Sequence, residues 1–320
     1  MKNKLFYVLL FVCMFVSCCE TNENECLPEP PTEPEQPADP PTTDDLLIIQ
    51  LNDDTMAVIG TGNWNAVAYG NDKYVAVGDG GYITWSTDGK IWATPKQVGG
   101  TRFFGGIVFG NGKFIASLSN GYITTSTDGI NWTNPKQVGQ ESNISSRITY
   151  GNGKYVVIYT FPDTYAVTSI NGTEWTSPKK VMNDFLMGIT YGKNKFVAVG
   201  ANGYIVTSTD GITWTTPKQV GTSYWSSICF GNDKFVAIGT NGHIAISADG
   251  VNWTTPKQVG TSAWRAIAYS KDKFVVVGDN GYISTSADGI TWTNPTQIKD
   301  EVGNYYNNHT TCNYSSIIRF

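Results

Sequence analysis

Acid–base catalysis needs titratable side chains that can work in pairs, and this chain offers few. Beyond residue 45 its glutamates are Glu141, Glu174 and Glu301. Hydrolysis of a glycosidic bond requires two carboxyl groups facing one cleft. Asp79 and Asp279 come closest, because both open a "GD-x-G" segment. The same place holds Ser119, Ala201 or Thr240 in other copies, so both aspartates read as turn residues. His243 stands where sister segments carry tyrosine, and His309 lies in a polar tail. Neither has a Cys, Asp or Glu at metal-ligand spacing. There is no nucleophile elbow and no phosphate loop. No catalytic residue, metal site or cofactor is therefore expected.

The elements that position these residues are written as a repeat. Trp92, Trp132, Trp175, Trp214, Trp253 and Trp292 recur every 39 to 43 residues, each closing a phrase such as "STDGITW". In the unit from Thr261, "WRAIAYS" alternates, "FVVVG" is a short β-branched run, "DNG" is a tight-turn signal and "YISTS" alternates again. No helical period competes. Four short strands in about 40 residues match one blade of a β-propeller, an all-β fold in which each sheet is stable only between neighbours. Pro95, Pro135, Pro178, Pro217, Pro256 and Pro295 recur in the fourth strand, which must then be an outer edge, since proline cannot donate to a ladder. Lys96, Lys136, Lys179, Lys218 and Lys257 follow them and suit a solvated edge. Residues 46–320 are expected to form the propeller. Six full units leave terminal pieces that predict seven four-stranded blades, the last shared by both termini; six blades is the alternative. In the seven-blade reading residues 55–60 supply a fourth strand and "YSSIIRF" a first.

The N-terminal residues belong to a different regime. Lys2 and Lys4 precede about a dozen apolar residues, too few for a comfortable membrane span. "FVSCC" resembles the lipobox of bacterial lipoproteins, which implies a signal peptide over 1–17 and lipidation at Cys18. Residues 18–45 hold nine carboxylates, no Lys or Arg, and many prolines, so they read as an extended tether of roughly 80 Å. Acids soon after that cysteine resemble the export signal of Bacteroidetes surface lipoproteins. This implies a lipid-anchored protein of the outer membrane facing the cell exterior. The whole chain carries a net charge of −5, concentrated in the tether. The remainder is near neutral, which gives no basic field for nucleic acid. Cys229, at a small or apolar repeat position, reads as a buried thiol.

The recurring "S-x-D-G-x-x-W" resembles the Asp-box, or BNR, repeat of sialidases and of many non-enzymatic propellers, shortened by one residue between Asp and Gly. Asp88, Asp128, Asn171, Asp210, Asp249 and Asp288 occupy its acidic position. The carboxylate can accept backbone N–H bonds within the turn, and glycine supplies positive φ, so these residues are expected to be structural. A sialidase implies three arginines clamping a carboxylate and a Tyr–Glu pair. Arg102, Arg147 and Arg265 fall near the starts of first strands, but no "FRIP"-like segment is present and glutamate is scarce.

A binding surface is the better expectation. Aligned first strands place Trp64, Phe104, Ser145, Leu186, Trp225 and Trp264 in one column. If first strands line the axis, that column forms an aromatic rim suited to sugar rings or a peptide side chain. The expected ligand-binding residues are Trp64, Asn65, Phe104, Arg147, Trp225, Trp264 and Arg265. The alternative is that these rings pack between blades. A second column, Tyr82, Tyr122, Tyr165, Tyr204 and Tyr282 with His243, reads as packing. The functional expectation is a monomeric, non-enzymatic module recognising a glycan or glycoprotein. A protein-assembly or adhesion scaffold is the alternative, and a sialidase-like hydrolase is a more distant third.

Overall fold

The structure is a computed structural model. It describes residues 64–139, 145–160 and 162–297 in full, and the backbone of strands Leu9–Cys13, Gln50–Leu51, Asp54–Thr55 and Cys312–Ile317. Six four-stranded antiparallel sheets span residues 64–97, 104–137, 145–182, 186–219, 225–258 and 264–297, each with its strands in chain order. We number them as blades one to six. First strands of successive blades pack on one another, so they are innermost. Fourth strands such as Lys96–Gln97 and Lys218–Gln219 are short and exposed, the outer edge that the proline column required.

Local sequence explains the hairpins. First and second strands meet at two-residue turns with both residues left-handed: Asn71 and Asp72 at φ 47° and 55°, Asn232 and Asp233 at 42° and 58°. This is the geometry that Asn, Asp and Gly tolerate and that matches strand twist. Second and third strands meet at the "NG" pairs, where Asn120 has φ 60° and Asn280 has 59°.

The core lies between blades rather than within them. Second strands read "KFVAVG" because both of their faces are covered: Val197, Val199 and Phe235 are fully buried in one cluster that joins blades four and five. At the opposite end from the "NG" turns, an aromatic ring from each of blades two to six covers a glycine of the preceding one. Tyr150 lies over Gly110, Tyr191 over Gly151, Phe230 over Gly192 and Tyr269 over Gly231. A Cβ built on Gly110 would fall 2.3 Å from Tyr150 Cγ, so the spacing between blades depends on that missing atom.

The repeated phrase pins blade to blade. In blade two, Ser126 Oγ donates to Asp128 Oδ1 at 2.9 Å, and the N–H groups of Ile130 and Asn131 donate to the same oxygen at 2.9 and 2.8 Å. Gly129, at φ 76°, sits with its Cα where a Cβ would lie 2.7 Å from Val75 Cγ2 of blade one. Trp132 Nε1 donates to the Gly129 carbonyl at 3.1 Å. Asn171 accepts the same two backbone bonds through its amide oxygen. All six box residues accept backbone N–H bonds within their own turns. The edge lysines also do more than face solvent: Lys136 Nζ donates to Thr173 O and Lys218 Nζ to Val251 O, each reaching the next blade's box.

These bonds favour the charged carboxylate. The N–H groups of Thr291 and Ile290 lower the Asp288 pKa to about 2, and those of Ile91 and Lys90 lower that of Asp88. A folded pKa below the unfolded value of about 3.9 stabilises the fold fully above about pH 4, and that stabilisation is lost as pH falls toward 2. The melting temperature should therefore drop between pH 5 and pH 2.5. Asp288→Asn, which copies the natural Asn171 staple, should change stability little at pH 7 and flatten the acid-induced drop. Parallel pH profiles for wild type and variant would contradict the assignment.

The seven-blade reading is corrected. Cys312–Ile317 does form a strand, between the first strands of blades six and one, but it pairs only with Leu9–Cys13 in a two-stranded sheet. Of the expected fourth strand, residues 55–60, Thr55 is described, and it pairs with Gln50 in a two-stranded sheet instead. Residues 56–60 lie outside the described residues. Among the described residues the terminal strands form two separate two-stranded sheets and do not join into one four-stranded sheet, because no ladder links the pair Leu9–Cys13/Cys312–Ile317 to the pair Gln50–Leu51/Asp54–Thr55.

Candidate functional site

One end of the ring carries the starts of the first strands together with the "NG" turns. Backbone bonds fix this: Ser119 N donates to Phe103 O, Ala201 N to Phe185 O, Thr240 N to Tyr224 O and Asp279 N to Ala263 O, all between 2.8 and 3.1 Å. Phe103, Phe185, Tyr224 and Ala263, each just before a first strand, are thereby held at the inner edge of that face.

The expected aromatic rim is not open to a ligand. Trp225 and Trp264 are 0% exposed, Phe104 1% and Trp64 3%. The cause is a bulge at the second residue of the first strand. Trp64 pairs with Gly78 and Ala66 with Val77, so Asn65 is left over. The same slip occurs at Gly105, Met187, Ser226 and Arg265. The tryptophan turns into the interblade core, against a glycine that leaves room for it: a Cβ on Gly278 would lie 2.9 Å from Trp264 Cε3, and one on Gly239 3.1 Å from Trp225 Cε3. Blade three lacks the bulge and reverses the sizes, with Ser145 opposite Thr160 and Ser146 opposite the fully buried Tyr159. This large-against-small pairing was present in the sequence as a signal of packing. Trp64, Phe104, Trp225 and Trp264 are therefore core residues, and their reading as ligand contacts is corrected.

The polar candidates divide. Asn65 Nδ2 donates to Asp79 Oδ1 and to Phe104 O, both at 2.8 Å, which ties blade one to blade two. Arg265 makes a two-toothed pair with Asp279, Nε to Oδ1 at 2.6 Å and Nη2 to Oδ2 at 2.8 Å. Both are occupied by their own turn. Arg147 is different. Its Nη1 donates to Ser146 O at 2.8 Å, Ser145 Oγ at 3.0 Å and Gly105 O at 3.3 Å. Its pKa is lowered by desolvation, with Tyr224 acting in the opposite sense. Tyr224 belongs to blade five, so the charge of Arg147 is felt two blades away.

The residues that sequence reasoning missed lie one position earlier than the expected column. Phe103 is 53% exposed, and Phe185 and Tyr224 are half-buried. Burial pushes the Tyr224 hydroxyl up in pKa, and the charges of Arg147, Asp184 and Arg265 all act on it. Charged groups of the third and sixth blades and of the link into the fourth thus act on a side chain at the start of the fifth. Asp184 accepts from Asn202 Nδ2 and from the Phe185 N–H, both at 2.8 Å.

Farther from the axis on this face, the tyrosine column is only half packed. Tyr82 is 44% exposed, Arg102 lies 3.9 Å above the Tyr122 ring, and His243 Nδ1 is 2.7 Å from Ser223 Oγ. Tyr204 helps to line an open groove of about 450 Å³ with Val181, Met182, Asn183, Asp184 and Pro217. The face as a whole is aromatic, with guanidinium groups among the rings.

Six four-stranded sheets stacked about one axis make this protein a β-propeller. No family model matches the sequence, and no curated protein sequence matches it. Solved structures share the fold. YCF48 bound to D1 peptide superposes with a TM-score of 0.56 at 19% identity, over 78% of this chain and 84% of that one. YCF48 from Cyanidioschyzon merolae gives 0.53 at 15% identity, over 79% and 86%. The Cps50 (Swd1) propeller domain of Myceliophteria thermophila gives 0.59 at 9% identity, over 82% and 90%. At these identities the likeness is one of fold.

Proposed function

We propose that this protein is a non-enzymatic binding propeller that docks an extended segment of a partner protein on the face carrying Phe103, Phe185 and Tyr224. The observation that carries the reading is the arrangement at that face: partly open aromatic rings around a mouth, beside a guanidinium with no carboxylate partner among the described residues. Aromatic anchors flanked by Arg are typical centres of protein recognition. A structural neighbour of similar length holds a peptide, which supports a protein ligand. A glycan ligand drew its support from the tryptophan column, whose faces are covered. A hydrolase would need acids free to act, whereas Asp79, Asp184 and Asp279 are each held by neighbouring donors.

The test is capture of partners from outer-membrane extracts. Phe103→Ala combined with Tyr224→Ala should weaken capture by about tenfold or more while leaving the melting temperature within a few degrees. Unchanged capture by a folded double variant would sink the reading.

We also propose that residues 18–45 tether the propeller to the outer face of the outer membrane through lipid on Cys18, with the signal peptide removed. On that reading the pairing of Leu9–Cys13 with Cys312–Ile317 belongs to the unprocessed chain. An alkyne-tagged fatty acid fed to cells should label the wild type and not Cys18→Ser. Labelling of both would contradict it.

A further inference from the structure

Arg147 is the cation of the axial mouth that its own chain leaves half used. Nη1 takes three acceptors, whereas Nε and Nη2 hydrogen-bond to none of the described residues, and the side chain as a whole is half-buried. Among the described residues the ion pairs are Lys180–Asp163, Lys193–Asp233 and Arg265–Asp279, so Arg147 has no counter-ion. A guanidinium keeps its proton at neutral pH, and removing it from water without an anion is costly. An arriving anion would recover that cost. The open Nε/Nη2 edge is a planar two-donor fork, the shape that a carboxylate fills with two parallel bonds. Asp184 and Asp279 stand at the same mouth, and their charge disfavours a dianion such as phosphate. Arg102 differs, because Tyr122 covers its face and its Nη1 goes to Gly99 O.

We propose that Arg147 is a carboxylate-binding site: the docked segment inserts an acidic side chain or its own C-terminal carboxylate at the axis, onto the Nε/Nη2 edge of Arg147. This rests on the reading of that face as the docking face, and it names the chemistry the partner must carry there.

The first experiment uses acetate as the probe and the full chain. Arginine Nε–H resonances are followed by NMR, and that of Arg147 is assigned by its loss in Arg147→Lys or, if that variant does not fold, in Arg147→Gln. Sodium acetate should move the Arg147 resonance saturably and well beyond those of Arg102 and Arg265. Acetamide at the same concentration and chloride at the same ionic strength should not. Equal movement with acetamide, movement no greater than that of the other arginines, or saturation by phosphate at a lower concentration than acetate would each overturn the proposal.

A synthetic array then separates the two sources of carboxylate. Short aromatic peptides carry Asp or Glu against Asn or Gln, each with a free or an amidated C-terminus. Peptides bearing the preferred carboxylate should bind the wild type roughly tenfold or more better than their amide counterparts, and Arg147→Gln should abolish the difference. Equal binding of acids and amides would count against the site. If acetate reaches Arg147 while Phe103→Ala with Tyr224→Ala leaves partner capture intact, the carboxylate site stands and the docking face falls.

Discussion

Trp225→Ala should cost about 3–5 kcal/mol of folding stability. The indole is fully buried, in a cluster with Val197, Val199, Phe235 and Ala237 from two blades. Its removal leaves a cavity at the innermost part of the ring, where Gly239 has no side chain to fill it. Any loss of partner capture should follow the loss of folded protein. Urea unfolding of wild type and variant measures the stability, and capture normalised to the folded fraction measures the function. A variant of native stability that cannot bind would return Trp225 to the ligand site and contradict the burial. The comparison with Phe103→Ala is informative: two aromatic residues from the starts of first strands should lose different properties, because one faces the core and the other solvent.

The second large effect concerns an atom the chain omits. Gly110→Ala should destabilise by about 3 kcal/mol or more, the upper end for overpacking. The new methyl would meet the Tyr150 ring at 2.3–2.7 Å, and that ring cannot retreat without separating blade three from blade two. Gly112 supplies the control two residues away. It has φ 71° and nothing within 4 Å of its built Cβ, so Gly112→Ala should cost only the left-handed strain of about 1–2 kcal/mol. Combining Gly110→Ala with Tyr150→Ala should recover part of the loss by making room, whereas Gly112→Ala should gain nothing from it. Equal costs at the two glycines, or no recovery in the double variant, would show that the interblade spacing does not depend on this contact.

The order of strands and the outer edge were legible in the sequence, and the hydrogen bonds of the box are just as local. Each depends on local chemistry: Asn-Gly turns, proline at a place without a donor, and a serine and a carboxylate within three residues of the N–H groups they serve. Even Asn171 in place of aspartate could be understood, because the turn needs an acceptor oxygen rather than a charge.

The sequence by itself determined the repeat, the all-β blades and which strand is outermost, because those follow from side chains a few residues apart. Only the tertiary structure decided which residues reach the mouth. A single bulge after Trp64, Trp225 and Trp264 turned the expected rim into core and gave the face to Phe103, Phe185 and Tyr224. Strand side chains alternate with period two, so one unpaired residue is enough to exchange the buried set for the open one. Closure of the ring was likewise decided in three dimensions. Whether the terminal segments complete a four-stranded blade depends on pairings between residues some 300 positions apart, which no local pattern specifies.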